Sequence, residues 1–136
     1  MQDKDSATDP KTFLSGKHIL IVEDEVSNYE LLVAMLRKSG AEFSWAKTGR
    51  EAIELCEKNN FDLILMDIKM PELSGYEAID EIRAINQNVP VIAQTAYARM
   101  EDETRILNRG FNGYLSKPID KNKLLKILEK TFTGED

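Results

Sequence analysis

Glu23, Asp24, Asp67, Thr95 and Lys117 are the side chains of this sequence whose types and settings can do chemistry. Each follows a short apolar run. Glu23 and Asp24 follow His18–Val22, Asp67 follows Leu63–Met66, Thr95 closes Val91–Gln94, and Lys117 lies just past Gly113–Leu115. Apolar, β-branched runs without polar alternation read as strands covered on both faces. Parallel strands bring their C-terminal ends to one edge of a sheet, where open α/β folds hold their chemistry. A lone aspartate after a strand reads first as a turn residue, and Pro71 stops a regular ladder beyond Asp67. Four of five strands ending in reactive groups in one direction exceeds what turn chemistry requires.

Three carboxylates brought within a few ångströms repel one another, and at least one stays protonated unless a cation intervenes. Mg²⁺ accepts one or two carboxylates, keeps waters, and leaves positions for a phosphoryl oxygen; Mn²⁺ can stand in for it. The Lys117 ammonium is a compact charge able to pair first with a carboxylate and then with a phosphate. The Thr95 hydroxyl can donate to a phosphoryl oxygen. Carboxylate nucleophile, metal, lysine and hydroxyl together describe phosphoryl transfer onto an aspartate, a reaction governed by positioning and charge neutralisation.

The elements that must position these residues alternate along the chain. The strand His18–Val22 leads into a helix over Ser27–Ser39 with Leu31, Leu32, Met35 and Leu36 at helical spacing and Gly40 as its stop. Glu42–Ala46 is a weaker strand, and it alone ends without a reactive group. Thr48, with Glu51 three residues later, predicts a capping box for a helix over Gly49–Lys58. After Asp67 and the loop Met70–Gly75, Tyr76–Ile85 carries an apolar stripe of Ile79, Ile82 and Ile85. Val91–Ala93 is a strand entered from a turn at Pro90. Met100–Asn108 is a polar helix stopped by Gly110, and Gly113–Leu115 is the last strand. Asp120 caps a final helix with Leu124, Leu125, Ile127 and Leu128. Five such βα units specify a parallel sheet covered on both faces.

The bulk numbers agree with one domain: 136 residues, 42% hydrophobic and 31% charged. A net charge of −6 argues against a nucleic-acid surface, which needs a basic face. No apolar run reaches the roughly 20 residues of a membrane span, and no signal-peptide core opens the chain. One cysteine, Cys56, at helical spacing from Ile53, fits a core position in a reducing cytoplasm. His18 begins its strand far from the acidic end and reads as a core or solvated histidine. Residues 1–16 are polar and read as a flexible tail or linker, residues 17–133 as the domain, and 134–136 as a short C-terminal tail.

At the strand ends the chain resembles a response-regulator receiver domain, the phospho-aspartate module of two-component signalling. Ile21-Val22-Glu23-Asp24, Met66-Asp67-Ile68-Lys69-Met70-Pro71-Glu72-Leu73-Ser74-Gly75, Thr95-Ala96 and Lys117-Pro118 match in order and spacing from about Lys17 to Thr131. The resemblance implies a doubly wound, flavodoxin-like (βα)5 fold with strand order 2-1-3-4-5, which sends the strand without a reactive end to the sheet edge. It implies Asp67 as phosphoacceptor, with Mg²⁺ held by Asp24, Asp67, the Lys69 backbone carbonyl and, through water, Glu23. Thr95 and Lys117 hold the phosphoryl group, and the Lys117–Pro118 bond is cis. Tyr114 takes the place of the switch aromatic: Thr95 moves toward the phosphoryl group and Tyr114 turns inward. The face made by the fourth strand, fourth helix, fifth strand and fifth helix then changes. The implied partner is a histidine kinase or a histidine phosphotransfer domain docking beside the site near Val26, Tyr29 and Pro118; self-association after phosphorylation is also allowed.

Some positions depart from the commonest pattern. Glu23 stands where an aspartate is frequent, and Gln94 puts an amide where an apolar residue is usual. The Lys69 side chain is free to modulate dephosphorylation, and Tyr97 is placed to shield the acyl phosphate and lengthen its life. An aspartate-nucleophile phosphatase would need an acid where Lys69 stands, and a flavodoxin would need a phosphate loop where Glu23-Asp24-Glu25 stands. A receiver-like binding module that no longer uses phosphate is the remaining alternative. The polar lead-in favours a receiver taken from a hybrid sensor kinase. Beyond its own phosphorylation and slow dephosphorylation, no enzyme activity is expected of it.

Overall fold

The computed structural model describes residues 9–70, 73–96 and 100–134. Five strands, β1 (His18–Val22), β2 (Glu42–Ala46), β3 (Leu63–Asp67), β4 (Val91–Thr95) and β5 (Gly113–Ser116), form one parallel sheet in the order β2-β1-β3-β4-β5. The helices are α1 (Lys11–Leu14), α2 (Val26–Leu36), α3 (Gly49–Lys58), α4 (Gly75–Ile85), α5 (Met100–Asn108) and α6 (Lys121–Thr133). With α1 counted, the fourth and fifth helices of the sequence reading are α5 and α6.

All five residues of β3 are buried, and its side chains alternate between two cores. Ile64 and Met66 pack with Ala52, Ile79, Ile82, Ile106 and Phe111 beneath α3, α4 and α5. Leu63 and Leu65 pack with Leu32, Leu36, Leu124 and Leu128 beneath α2 and α6. A strand buried on both faces needs apolar residues at every position, which is why the sequence shows runs there.

The helix starts follow local chemistry, with two differences from expectation. Thr48 caps α3 by accepting from the Glu51 amide, but the Glu51 carboxylate takes the Lys47 amide instead of returning to Thr48. The complete capping box belongs to α4, between Ser74 and Glu77. The helix expected to Ser39 ends at Leu36 and tightens into a 3-10 turn over Arg37–Ser39, where the Ser39 hydroxyl donates to the Leu36 carbonyl at 2.7 Å. Gly40 then turns the chain at φ +84°.

The lead-in is not a tail over residues 9–16, which corrects the sequence reading. Asp9 accepts from the Lys11 amide at 3.0 Å and opens α1. Phe13 and Leu14 enter the core with Leu36, Leu124 and Leu128; Leu14 is fully buried. A single helical turn is too short for a hydrophobic period, and its stability comes from tertiary burial. Residues 1–8 lie outside the described residues.

Candidate functional site

Glu23, Asp67, Gln94 and Lys117 each stand two residues beyond a residue of the α2/α6 core, namely Ile21, Leu65, Ile92 and Leu115. Strand side chains alternate, so the four share that face at the C-terminal edge. Val22 pairs with Met66, Asp67 with Gln94, and Gln94 with Leu115, which sets Glu23, Asp67 and Gln94 in one row. Thr95 lies on the opposite face, is buried, and lines the same cleft of about 780 Å³ with Asp24, Asp67, Lys69 and Lys117.

The Lys117 ammonium donates to Asp67 Oδ2 at 3.0 Å and lies 3.4 Å from Glu23 Oε1. Asp67 Oδ1 accepts from the Lys69 amide at 3.2 Å, and Glu23 Oε2 accepts from the Glu25 amide at the same distance. Glu23 is fully buried, and its Oε1 accepts no hydrogen bond among the described residues. Burial first, and the Asp67 charge second, hold the Glu23 carboxyl above the usual carboxylate range despite Lys117 nearby. Burial also pulls the Lys117 ammonium down. The hydrogen bond and charge of Asp67, with Glu23 behind it, outweigh that and hold the group above its ordinary value.

Carboxylate oxygens of Glu23, Asp24 and Asp67 lie within 4.8 Å of one another. Three carboxylates against one ammonium leave two negative charges uncompensated when all are ionised. The buried Glu23 Oε1 accepts no hydrogen bond among the described residues and has the Lys117 ammonium at 3.4 Å, a charge it shares with Asp67. This oxygen-only set fits a hard divalent cation such as Mg²⁺.

Backbone packing fixes the place of Asp67. A Cβ added at Gly75 would lie 2.8 Å from both the Asp67 carbonyl oxygen and Ile68 Cα, so α4 approaches this backbone at glycine distance. The Gly75 amide donates to the Ile68 carbonyl at 2.8 Å. β2 also serves the site, although its end carries no reactive group. Trp45 Nε1 donates to the Glu23 carbonyl at 2.8 Å, and its ring stacks on Tyr29 with centroids 4.2 Å apart.

The remaining expectations divide. The Lys117–Pro118 bond is cis. Tyr114 is half-buried against the α3–α5 core and faces a groove that also holds Leu107, Lys123 and Lys126. Tyr97 lies outside the described residues. His18 is away from the site, its Nε2 2.7 Å from Ser44 Oγ. Cys56 is half-buried, and burial pushes its thiol up to about 11, which makes it inert. The sequence reading missed Tyr76, Asp102 and Arg105, which complete the cleft wall. Arg105 and Arg109 lie over the Tyr76 ring at 4.5 and 5.3 Å. The residues of this clasp are 29 to 33 positions apart from α4 to α5, so only the fold reveals it.

Comparison with known proteins gives the same class. The response regulator receiver domain family matches residues 19–129, and the chain belongs to that family. The transcriptional regulatory protein ZraR of Escherichia coli (strain K12) is 39% identical over 114 residues. Those residues are 84% of this chain but 26% of that protein, so the chain spans about a quarter of that relative. Among solved structures, the receiver domain of sensor histidine kinase PA1611 from Pseudomonas aeruginosa PAO1 is 39% identical, with TM-score 0.79. The match covers 89% of this chain and all of that one, which carries a magnesium ion in its active-site cleft. The receiver of the Saccharomyces cerevisiae response regulator Ssk1, crystallised with the histidine phosphotransfer protein Ypd1, is 32% identical with TM-score 0.81. It covers 88% of this chain and 90% of that one.

Proposed function

We propose that this receiver accepts a phosphoryl group on Asp67 from a phosphohistidine, in a reaction that depends on Mg²⁺, and so switches the β4–α5–β5–α6 face. The observation that carries the reading is the cluster of Glu23, Asp24 and Asp67 oxygens, within 4.8 Å of one another, with the Lys117 ammonium shared between Asp67 and Glu23. Asp24, Asp67, the Lys69 carbonyl and, through water, Glu23 would hold the ion, which supplies charge neutralisation at the phosphoryl oxygens. An oxygen of Asp67 attacks phosphorus, the donor's N–P bond breaks, and the bonding pair leaves with the imidazole. Lys117 stands ready to pass from the carboxylate to the new phosphoryl oxygens, and the Thr95 hydroxyl supplies a further donor.

The acyl phosphate adds acceptors and charge at the strand ends. Thr95 and Tyr114 sit on β4 and β5 on the side toward α5, so a shift of the first makes room for the second. The Lys69 side chain is exposed at the cleft and modulates the phosphoryl lifetime, as does Tyr97. The donor is a histidine kinase or a histidine phosphotransfer domain, the latter as Ypd1 stands to the Ssk1 receiver. The setting is the cytoplasm; no helix among the described residues is long and apolar enough to cross a membrane. Apart from its own phosphorylation and slow dephosphorylation the domain catalyses no turnover, and the resemblance to PA1611 favours a hybrid kinase as parent. Intact mass after incubation with Mg²⁺ and acetyl phosphate tests the reading. One phosphoryl adduct, absent in Asp67→Asn, supports it; no adduct on a folded wild-type chain overturns it.

A further inference from the structure

Gln94 is 1% exposed, and its amide nitrogen has no hydrogen-bond partner among the described residues. Such a group raises the energy of the folded state, and an apolar residue of the same length would remove the cost. Its position points to what the amide does. Lys117 leaves β5 and reaches Asp67 on β3 at 3.0 Å, and β4 lies between those strands. The side chain must therefore cross β4. The β4 residue on that face and in register with Asp67 is Gln94, opposite Leu115 on the other side. Lys117 stands one pleat repeat beyond Leu115, opposite Ala96, so the path of its side chain to Asp67 runs over the β4 stretch that holds Gln94 and Ala96.

We infer that Gln94 is a positioning residue for Lys117: it underlies the side chain where it crosses β4 and offers its amide to the ammonium when a cation takes the carboxylates. Lys117 serves both Asp67 and Glu23. A divalent cation bound to those acids competes with the ammonium, which then needs another acceptor within reach. The amide oxygen of Gln94 is that acceptor. The amide nitrogen makes no hydrogen bond among the described residues, so turning the amide breaks none there. An apolar side chain at this position would leave the displaced ammonium over a buried surface without a partner.

The inference rests on the Mg²⁺-dependent reading of the site, and the test separates the two. Gln94→Met keeps the length of the side chain and removes the amide. In the metal-free protein it raises the melting midpoint by roughly 3–5 °C, because an unpaired buried group is gone. By isothermal titration with MgCl₂ it binds about threefold or more weaker than wild type, the factor expected of one lost hydrogen bond. Trp45, hydrogen-bonded to the Glu23 carbonyl, reports the same titration by fluorescence. Equal Mg²⁺ affinity in wild type and Gln94→Met, with or without the gain in melting point, overturns the inference. A wild-type chain that binds no Mg²⁺ overturns the site reading itself, and the inference with it.

Discussion

Two polar clusters, one half-buried and one largely buried, lie at opposite edges of the sheet, and they treat their charges differently. At the N-terminal edge the Arg83 guanidinium donates to the carbonyls of Val89 at 2.6 Å and Gly110 at 2.8 Å, and to Asn112 Oδ1 at 2.8 Å. Asn112 Oδ1 also accepts from the first amide of β4. Burial holds Arg83 below its ordinary value, but no acid among the described residues is involved, and the neutral acceptors tie α4 to the starts of β4 and β5. At the C-terminal edge the acids crowd, Lys117 is shared between Asp67 and Glu23, and among the described residues Glu23 Oε1 and Gln94 Nε2 make no hydrogen bond. A satisfied cluster holds the fold, whereas a cluster kept unsatisfied at an energetic cost is held for something that arrives later.

The largest expected effects fall where partners are complete. Leu14→Ala should cost about 2–5 kcal/mol in urea unfolding, since it opens a cavity under α1. Arg83→Ala should cost roughly 2–4 kcal/mol by leaving the Val89 and Gly110 carbonyls unpaired, with Mg²⁺ affinity unchanged. A change in Mg²⁺ affinity there would break the distinction between the two clusters. Gly75→Ala should cost about 1–3 kcal/mol, because its methyl meets fixed backbone beside Asp67. Gly113→Ala should cost less, since the flexible end of Ile127 can move aside.

At the site the sign reverses. Glu23→Gln should raise the metal-free melting point while weakening Mg²⁺ binding by about 10–100-fold. The pH dependence sharpens this. A carboxyl whose pKa is raised on folding favours the folded state below its unfolded value, near 4.5, and that contribution is lost as pH rises through the folded value. Metal-free wild type should therefore lose stability relative to Glu23→Gln as pH rises from 4 toward neutrality (roughly, by linkage). Lys117, also raised, keeps its contribution below its ordinary value of 10.5 and loses it only above its folded value.

The sequence made the site legible because each reactive residue closes a buried strand. One-dimensional order then translates directly into one edge of the sheet. The strand order came from the family resemblance, not from the runs themselves, and it puts the single strand without a reactive end at the edge, as observed. What stayed hidden depends on contacts distant in sequence. Arg83 meets Gly110 across 27 residues, Trp45 supports Glu23 across 22, and Gly75 is shaped by backbone at Asp67. The α1 turn was unreadable because two apolar residues make no period. Gln94 was visible as an odd amide, but its place under Lys117 needed the register.

The most direct test is the rate at which acetyl phosphate modifies Asp67, followed by intact mass with Mg²⁺ and with EDTA, in wild type and Asp24→Asn. Wild type should be modified readily with Mg²⁺ and only at background with EDTA, while Asp24→Asn should stay near background in both. Equal rates for wild type with and without the metal would contradict the claim that the crowded acids at the strand ends are held for a divalent cation.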